Sequence, residues 1–404
     1  MNIIEFFSQN MCTIIIIILL IIFVVYFFSM WGKNKIVEKM QQMMDDGDIK
    51  ENRDMFFSTN KNDLFLDVYK RGNLALGEAY MNNMWDTPNL YNLFRRIIQT
   101  KKYVKFENGN NFFKKIFNPL IQGQTSSLDM INNHYNLSNT FFESWLDPNM
   151  QYSCGYWNRP QMTLDEAQIA KMNLIGRKLK LEPGMTVLDI GCGWGMLAQY
   201  LAKTFGVNIV GINLSTEHLK YANEKLQNSS DLNVKYIYGD FSEISKYNIK
   251  FDRILSVGFY EHLADDRYDE FYKIMHNNLK DDGLVLLHTI GSDHNNKGID
   301  PWILKYIFTR GQIPNLVNIV SHSENNGFVV EDVHNFGMDY GNTLLAWLDR
   351  FELSNTKSKY DPKFYKMWKY YLSSCAAAFH EKELFLWQLI FTKKSNKIRY
   401  TGVR

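Results

Sequence analysis

The run Thr186-Val-Leu-Asp-Ile-Gly-Cys-Gly-Trp-Gly195 constrains the fold more tightly than any other stretch of this chain. Thr186 to Ile190 is a short apolar run of the kind that forms a buried parallel strand, interrupted by Asp189 near its carboxyl end. Glycines 191, 193 and 195 follow, and Met196-Leu-Ala-Gln-Tyr-Leu-Ala-Lys203 reads as a helix. Strand, glycine-rich turn and helix together bring backbone N–H groups close to a nucleotide-like ligand. A tight turn with no ligand has the same outline, so the turn alone does not decide.

The spacing favours S-adenosylmethionine over a dinucleotide. The third glycine of the dinucleotide fingerprint is missing, because Met196 stands there. Asp189, two residues before Gly191, can face the ammonium end of an amino-acid cofactor but would repel a pyrophosphate. A nicotinamide enzyme would carry a ribose-binding acid about twenty residues on. Asn213 occupies that place, at the end of Asn208-Ile-Val-Gly-Ile-Asn.

The chain of 404 residues is long enough for two modest domains. Its 45 Lys and Arg against 43 Asp and Glu give no support to a nucleic-acid partner. Four cysteines without a C-x-x-C pair fit neither a disulfide framework nor a zinc site, so no metal is expected and a reducing compartment is the simplest setting. From Phe6 to Gly32 there is no charged residue, and Ile14 to Phe28 is unbroken apolar sequence. A helix of about 20 such residues crosses a bilayer. A cleaved signal peptide would show a basic start and a small-residue cleavage site, and neither is present. Residues 1–33 are therefore expected to be a single-pass transmembrane anchor. Lys33, Lys35 and Lys39 follow it while Glu5 precedes it, which puts the rest of the chain in the cytosol. Residues 34–125, with methionines and aromatics at helical intervals, read as a small helical domain that meets lipid; residues 126–404 read as the catalytic domain.

In that larger part, strands are expected at Thr186–Ile190, Asn208–Asn213, Val234–Tyr238, Arg253–Val257, Leu284–His288, Phe328–Val333 and Leu384–Phe391, with helices between the early ones. The alternation predicts an open, mostly parallel α/β sheet of seven strands. Ligands of such sheets sit beyond the carboxyl ends of the strands. Glu261 follows strand four, His288 and Ile290 end strand five, Tyr340 follows strand six, and Tyr152, Ser153 and Cys154 lie just upstream of the sheet. Singly, each has a plain structural explanation: a solvated acid, a core histidine, a packing aromatic, a small apolar filler. Their convergence on one sheet edge favours a site.

With these residues in view the chain resembles the cyclopropane-fatty-acyl-phospholipid synthase family, which includes the mycolic acid cyclopropane synthases. The resemblance runs from about Gly72 to Phe391. It is carried by Leu76-Gly-Glu-Ala-Tyr-Met, His134-Tyr135, Asp147-Pro-Asn-Met-Gln-Tyr-Ser-Cys-Gly-Tyr-Trp157, Leu188-Asp-Ile-Gly-Cys-Gly-Trp-Gly195, Glu261-His262, Leu287-His-Thr-Ile-Gly-Ser292, Asp339-Tyr340 and Leu386-Trp387-Gln388. It implies a class I S-adenosylmethionine methyltransferase fold of Rossmann type. It further implies S-adenosylmethionine at Tyr152, Ser153, Asp189, Gly191, Gly193 and Asn213, with His218 at the ribose and Asp240 with Phe241 at the adenine. A bicarbonate ion is implied at Cys154, Glu261, His288, Tyr340 and the backbone of Ile290. Cys375 matches an older active-site assignment in the family, though its setting, Ser-Ser-Cys-Ala-Ala-Ala, reads as helix packing. His218 stands where relatives often carry glutamine, Met196 replaces a common glycine, Tyr260 adjoins the acid, and Ser138 interrupts the His-Tyr-Asp-Leu-Gly-Asn block.

The chemistry implied is methylenation of a cis double bond in an acyl chain of a membrane phospholipid. The sulfonium methyl is the electrophile, a carbocation results, and proton loss from the new methyl closes the ring. Such a cation requires a dry pocket and tolerates aromatic faces. Two other readings stay open: methylation without ring closure, on a fatty acid, sterol or amine, and a non-catalytic lipid-binding scaffold. The oligomer also stays open, a homodimer among the options.

Overall fold

The computed structural model describes residues 23, 26, 27, 29–100, 137–229, 231–293, 299–308, 311–397 and 399–404. Most of the expected transmembrane anchor, and the expected domain limit at 125/126, lie outside the described residues. Among the described residues, no helix is long and apolar enough to cross a membrane. The chain divides into two compact units, one of residues 1–89 with 96–119 and one of residues 90–95 with 120–404.

The described residues of the first unit are mainly helical. A helix over 29–46 is followed by helices Lys61–Arg71 and Asn73–Met81, and a two-residue strand Phe56–Phe57 pairs antiparallel with Trp85–Asp86. Asn60 starts the second helix by accepting the Asn62 N–H on its side chain, and Asp63 near the start with Lys70 and Arg71 at the end suit the helix dipole. Met40, Met43, Met44 and Met81 are buried, so these methionines fill core. Trp85 closes the unit by donating its indole N–H to the Leu76 carbonyl at 2.9 Å.

The second unit holds the seven strands: β1 Thr186–Ile190, β2 Asn208–Asn213, β3 Val234–Tyr238, β4 Phe251–Val257, β5 Leu279–Gly291, β6 Phe328–Asn335 and β7 Phe385–Lys393. Their order across the sheet is β3-β2-β1-β4-β5-β7-β6. The first five are mutually parallel; β7 runs antiparallel between β5 and β6. Each strand alternates its side chains between two faces, so both faces need cover. Val187, Ile209, Leu255, Leu286 and Ile390 share one core with Met172 and Ile175 of helix α1 (Leu164–Lys178) and Leu197 and Leu201 of helix α2 (Met196–Phe205). Leu188, Ile254, Val285, Leu287 and Leu389 share the other with Phe271, Tyr272 and Met275 of helix α3 (Tyr268–Asn278). Thr163 opens α1 with a reciprocal cap, its hydroxyl accepting from Glu166 N–H while the Glu166 carboxylate accepts from Thr163 N–H. After β6 come two long helices, α4 (Gly337–Leu353) and α5 (Pro362–His380). The turn into α4 is tied to β7 where the Phe336 N–H meets the Leu386 carbonyl at 3.1 Å.

Candidate active site

The turn after β1 is possible only with glycine at its corners. Gly191, Gly193 and Gly195 have φ of 77°, 52° and 72°, the left-handed region that other residues avoid. A Cβ on Gly191 would lie 2.7 Å from the Phe259 ring, whereas one on Gly193 would meet nothing within 4 Å. Gly193 is thus the open wall of the turn, where a ligand can approach the backbone. Asp189 is buried in β1, and its Oδ2 has no hydrogen-bond partner among the described residues. Burial lifts its pKa to about 7, against the pull of the Lys171 charge. Asn213, at the end of β2, braces the turn: its amide donates to the Gly193 carbonyl at 3.2 Å and its Oδ1 accepts from the Leu214 N–H at 2.9 Å. The His218 ring packs on Trp194 with centroids 4.4 Å apart, and burial lowers its pKa to about 4, so it is a neutral packing ring.

Asp240 and Phe241 follow β3. Both oxygens of Asp240 are engaged by Arg267, at 2.7 and 3.0 Å, and Oδ1 also accepts from Ser242. The Arg267 hydrogen bonds hold its pKa down to about 2. Phe241 is buried edge-on to Phe259, the ring that lies against Gly191.

Glu261 sits in a single helical turn, Tyr260–His262, just past β4. Thr289 donates its hydroxyl to Glu261 Oε2 at 3.0 Å, and the Ile290 backbone N–H also donates to the carboxylate. Burial nevertheless raises the pKa above the usual carboxylate range. One residue before Thr289, His288 is flanked in the sheet by Val257 and Gln388. It is buried, and desolvation together with the charges of Lys171 and Lys178 drives its pKa well below normal. Gln388 Nε2 lies 3.2 Å from Nδ1; with that amide donating, the neutral ring carries its proton on Nε2. Nε2 has no partner among the described residues.

The Cys154 segment is pinned onto α4. Gly155 N–H donates to the Thr343 hydroxyl at 3.0 Å and Trp157 N–H to Asp339 Oδ2 at 2.9 Å. Cys154 is fully buried, its thiol donates to the Gly155 carbonyl at 3.1 Å, and burial pushes its pKa well up. It is a neutral thiol and not an activated nucleophile. Tyr340 projects from the first turn of α4, buried against Phe379. Its hydroxyl is held protonated by burial first, and then by the proximity of Cys154, Tyr152, Glu261 and Cys375. Tyr152 pairs its hydroxyl with that of Tyr371 at 3.0 Å and is walled by Phe142, Trp145 and Trp347. Cys375 lies on α5 with its pKa pushed up to about 12 by burial.

The structure therefore gathers Tyr152, Cys154, Glu261, Tyr340 and Cys375 at one place. His288 lies on the same strand end, beside Thr289 in sequence, and its ring packs 5.7 Å from Phe336, the residue before α4. The glycine turn lies on the same carboxyl edge, and Asp240 with Phe241 lies beyond it.

The chain as a whole has counterparts among known proteins. A family model described as mycolic acid cyclopropane synthetase matches residues 122–389. The cyclopropane-fatty-acyl-phospholipid synthase of Escherichia coli K12 is 40% identical over 342 residues, which cover 82% of this chain and 86% of that protein. The chain belongs to the cyclopropane synthase family. Cyclopropane mycolic acid synthase 2 of Mycobacterium tuberculosis is 35% identical, covering 65% of this chain and 95% of its own. Among solved structures, the M. tuberculosis cyclopropane synthase MmaA2 aligns with a TM-score of 0.61 at 31% identity, over 66% of this chain and 98% of that one. The mycolic acid cyclopropane synthase CmaA1, solved with S-adenosylhomocysteine and CTAB, aligns at 0.60 and 31% over 67% and 99%. Coclaurine N-methyltransferase, at 20% identity and a TM-score of 0.63, shares the class I methyltransferase fold. The chain is thus an enzyme of the cyclopropane synthase family, built on that fold.

Residues not among the candidates also shape the site. Lys171 and Gln168 of α1 hold Ser153, Thr343 holds Gly155 next to Cys154, and Thr289 and Gln388, both within the motif blocks quoted above, hold Glu261 and His288. Outside those blocks, only the α1 pair carried a sequence signal. Leu164, Ala167, Gln168, Lys171, Met172 and Ile175 form one buried stripe, so a lysine and a glutamine stand at positions where an amphipathic helix normally places apolar groups.

Proposed function

We propose that this chain adds a methylene from S-adenosylmethionine across a cis double bond of an unsaturated acyl chain in a membrane phospholipid, forming a cyclopropane fatty acid. The observation that carries the reading is His288: a neutral, buried imidazole whose Nε2 has no partner among the described residues, on the edge that also holds Cys154, Glu261 and Tyr340. An unpaired buried donor costs about 1–3 kcal/mol. A small oxyanion such as bicarbonate fits this set, since the imidazole N–H, the tyrosine hydroxyl and a carboxyl of raised pKa can all donate to it. Asp189, with its unpartnered Oδ2 and the open Gly193 beside it, suits the ammonium end of the cofactor.

When bound, S-adenosylmethionine supplies an electrophilic methyl and bicarbonate a proton acceptor. The protein's own part is to orient and to exclude water. Tyr152, packed among Trp145, Trp347 and Phe142, brings an aromatic ring next to Cys154, and aromatic rings stabilise a cation without reacting with it. Cys154, neutral and hydrogen-bonded, forms a wall of the pocket. Glu261 is held by Thr289 and the Ile290 backbone, which keeps its carboxyl in one orientation.

The reading extends to the membrane. Residues 1–33 serve as an anchor with the catalytic part in the cytosol and residues 34–125 as a lipid-facing helical unit. Support comes from the charge-free run Phe6–Gly32 and from the exposure of Phe23, Tyr26, Phe27 and Trp31. The test is incubation of the purified protein with S-adenosylmethionine and vesicles of a cis-monounsaturated phospholipid, with mass and NMR analysis of the acyl chains. Gain of one CH₂ with loss of the alkene signal is expected. A gained CH₂ with the alkene retained would mean methylation only, and unchanged lipid would mean a binding scaffold.

A further inference from the structure

Lys171 is a buried cation to which the chemistry above assigns no role. Its side chain is fully enclosed, and its Nζ donates to Gln151 Oε1 and to Ser153 Oγ, each at 2.7 Å. Three residues earlier on the same face of α1, Gln168 donates to the Ser153 carbonyl at 2.8 Å. One helix face thus fixes the segment 151–153 through side chains. The loop before it is wound on Asp147, whose buried carboxylate accepts the backbone N–H groups of Asn149 and Gln151, both at 2.9 Å.

We propose that Lys171 is a positioning residue for the reaction: its ammonium holds Gln151 and Ser153 so that Tyr152 and Cys154 stand on the two sides of one site, and it supplies the positive charge that Asp189 faces. The proposal rests on the assignment of Asp189 to the cofactor and Cys154 to the anion. Desolvating an ammonium costs several kcal/mol unless opposite charge and hydrogen bonds offset it. Apolar packing alone would be met by methionine or leucine at this position. The surroundings instead supply two oxygen acceptors and two carboxyls, Asp147 and Asp189, with Cys154 also facing the ammonium.

The groups that bear on this balance come from every side. Asp147, Cys154 and Asp189 face Lys171, which in turn depresses His288. Cys192 and Tyr236 face Asp189, and Asp165 faces Asp147. Burial draws the Lys171 pKa down to about 8, so the ammonium persists at neutral pH and is lost in mild alkali. A neutral Asp189 has no charge to offer an ammonium ligand. Affinity for such a ligand therefore rises with pH through the Asp189 pKa of about 7, and Lys171 sets how low that midpoint lies.

The test is calorimetric binding of S-adenosylhomocysteine to the full chain between about pH 6 and pH 9, for the wild type, Lys171→Met and Lys171→Gln. Both variants remove the charge, so both midpoints should rise by roughly one unit. At pH 7 that takes Asp189 from about half ionised to about a tenth and weakens binding roughly fivefold. Lys171→Gln keeps an N–H donor for Ser153 or Gln151, and above the shifted midpoint it should recover more ring formation than Lys171→Met. If Lys171→Met does not fold, Lys171→Gln carries the midpoint test. A folded variant whose midpoint superimposes on the wild type overturns the proposal while leaving the functional reading intact. A wild type that binds no S-adenosylhomocysteine at any pH overturns both.

Discussion

The half of the site assigned to the cofactor is contiguous, whereas the half assigned to the anion is assembled. Asp189, Gly191 and Gly193 lie within one turn of chain, and their geometry follows from three positive φ angles and a strand end. Cys154, Glu261, His288 and Tyr340 come from four segments, placed along the sheet's carboxyl edge and the first turn of α4. The first half works through backbone shape and a single buried charge. The second is proposed to work through several mutually dependent polar groups, with Glu261 held by Thr289 and His288 by Gln388. Substitutions should therefore behave differently in the two halves.

The largest effect is expected in the assembled half. Glu261→Ala should lower ring formation about a hundred- to ten-thousandfold, and adding His288→Ala should cost little more, because groups serving one anion are not additive. Multiplicative losses in the double variant would break that half into independent parts. In the contiguous half, Asp189→Ala removes a charge-assisted bond worth about 1.5–3 kcal/mol, so calorimetry should show S-adenosylhomocysteine binding weakened roughly ten- to a hundredfold. Gly193→Val should do likewise by blocking the open wall and straining the backbone at φ 52°. Wild-type affinity in either variant would remove the cofactor from this turn. Cys154→Ser keeps a small hydrogen-bonding group and should retain ring formation within about tenfold; complete loss would point to a nucleophilic thiol. The smallest effect belongs to His218→Gln. Losing the ring contact with Trp194 should lower stability by about 1 kcal/mol in denaturant unfolding, with cofactor affinity unchanged.

The same contrast explains what was legible before the fold was known. The inner strands could be read as short apolar runs, because a sheet covered on both faces demands them, whereas the edge strand β6 (Phe328–Asn335) alternates buried and exposed residues. The antiparallel course of β7 could not, since strand direction follows from the path of the long helical connection α4–α5 and not from local pattern. The glycine turn announced itself through residue type. The positions of Glu261, His288 and Tyr340 were legible as strand ends, but what surrounds them was not. Thr289, Thr343 and Gln388 are ordinary strand and helix residues whose importance lies in who stands opposite. Asn213 and Asp240 show the converse. The resemblance implies both at the cofactor; what the motif did not show is that the amide of Asn213 also braces Gly193 and that the carboxylate of Asp240 is paired with Arg267. Lys171 was visible only as a charge on an apolar helical stripe.

The central claim is that the assembled half holds one anion that accepts the proton, so that Glu261 orients it and is not itself the base. Measuring ring formation by the wild type in buffer stripped of dissolved CO₂, and again after bicarbonate is restored, tests this directly. The account predicts that the rate falls on depletion and returns on restoration, and that Glu261→Ala is not rescued by added bicarbonate. A wild-type rate indifferent to bicarbonate, alongside an inactive Glu261→Ala, would contradict it and make the Glu261 carboxylate the base.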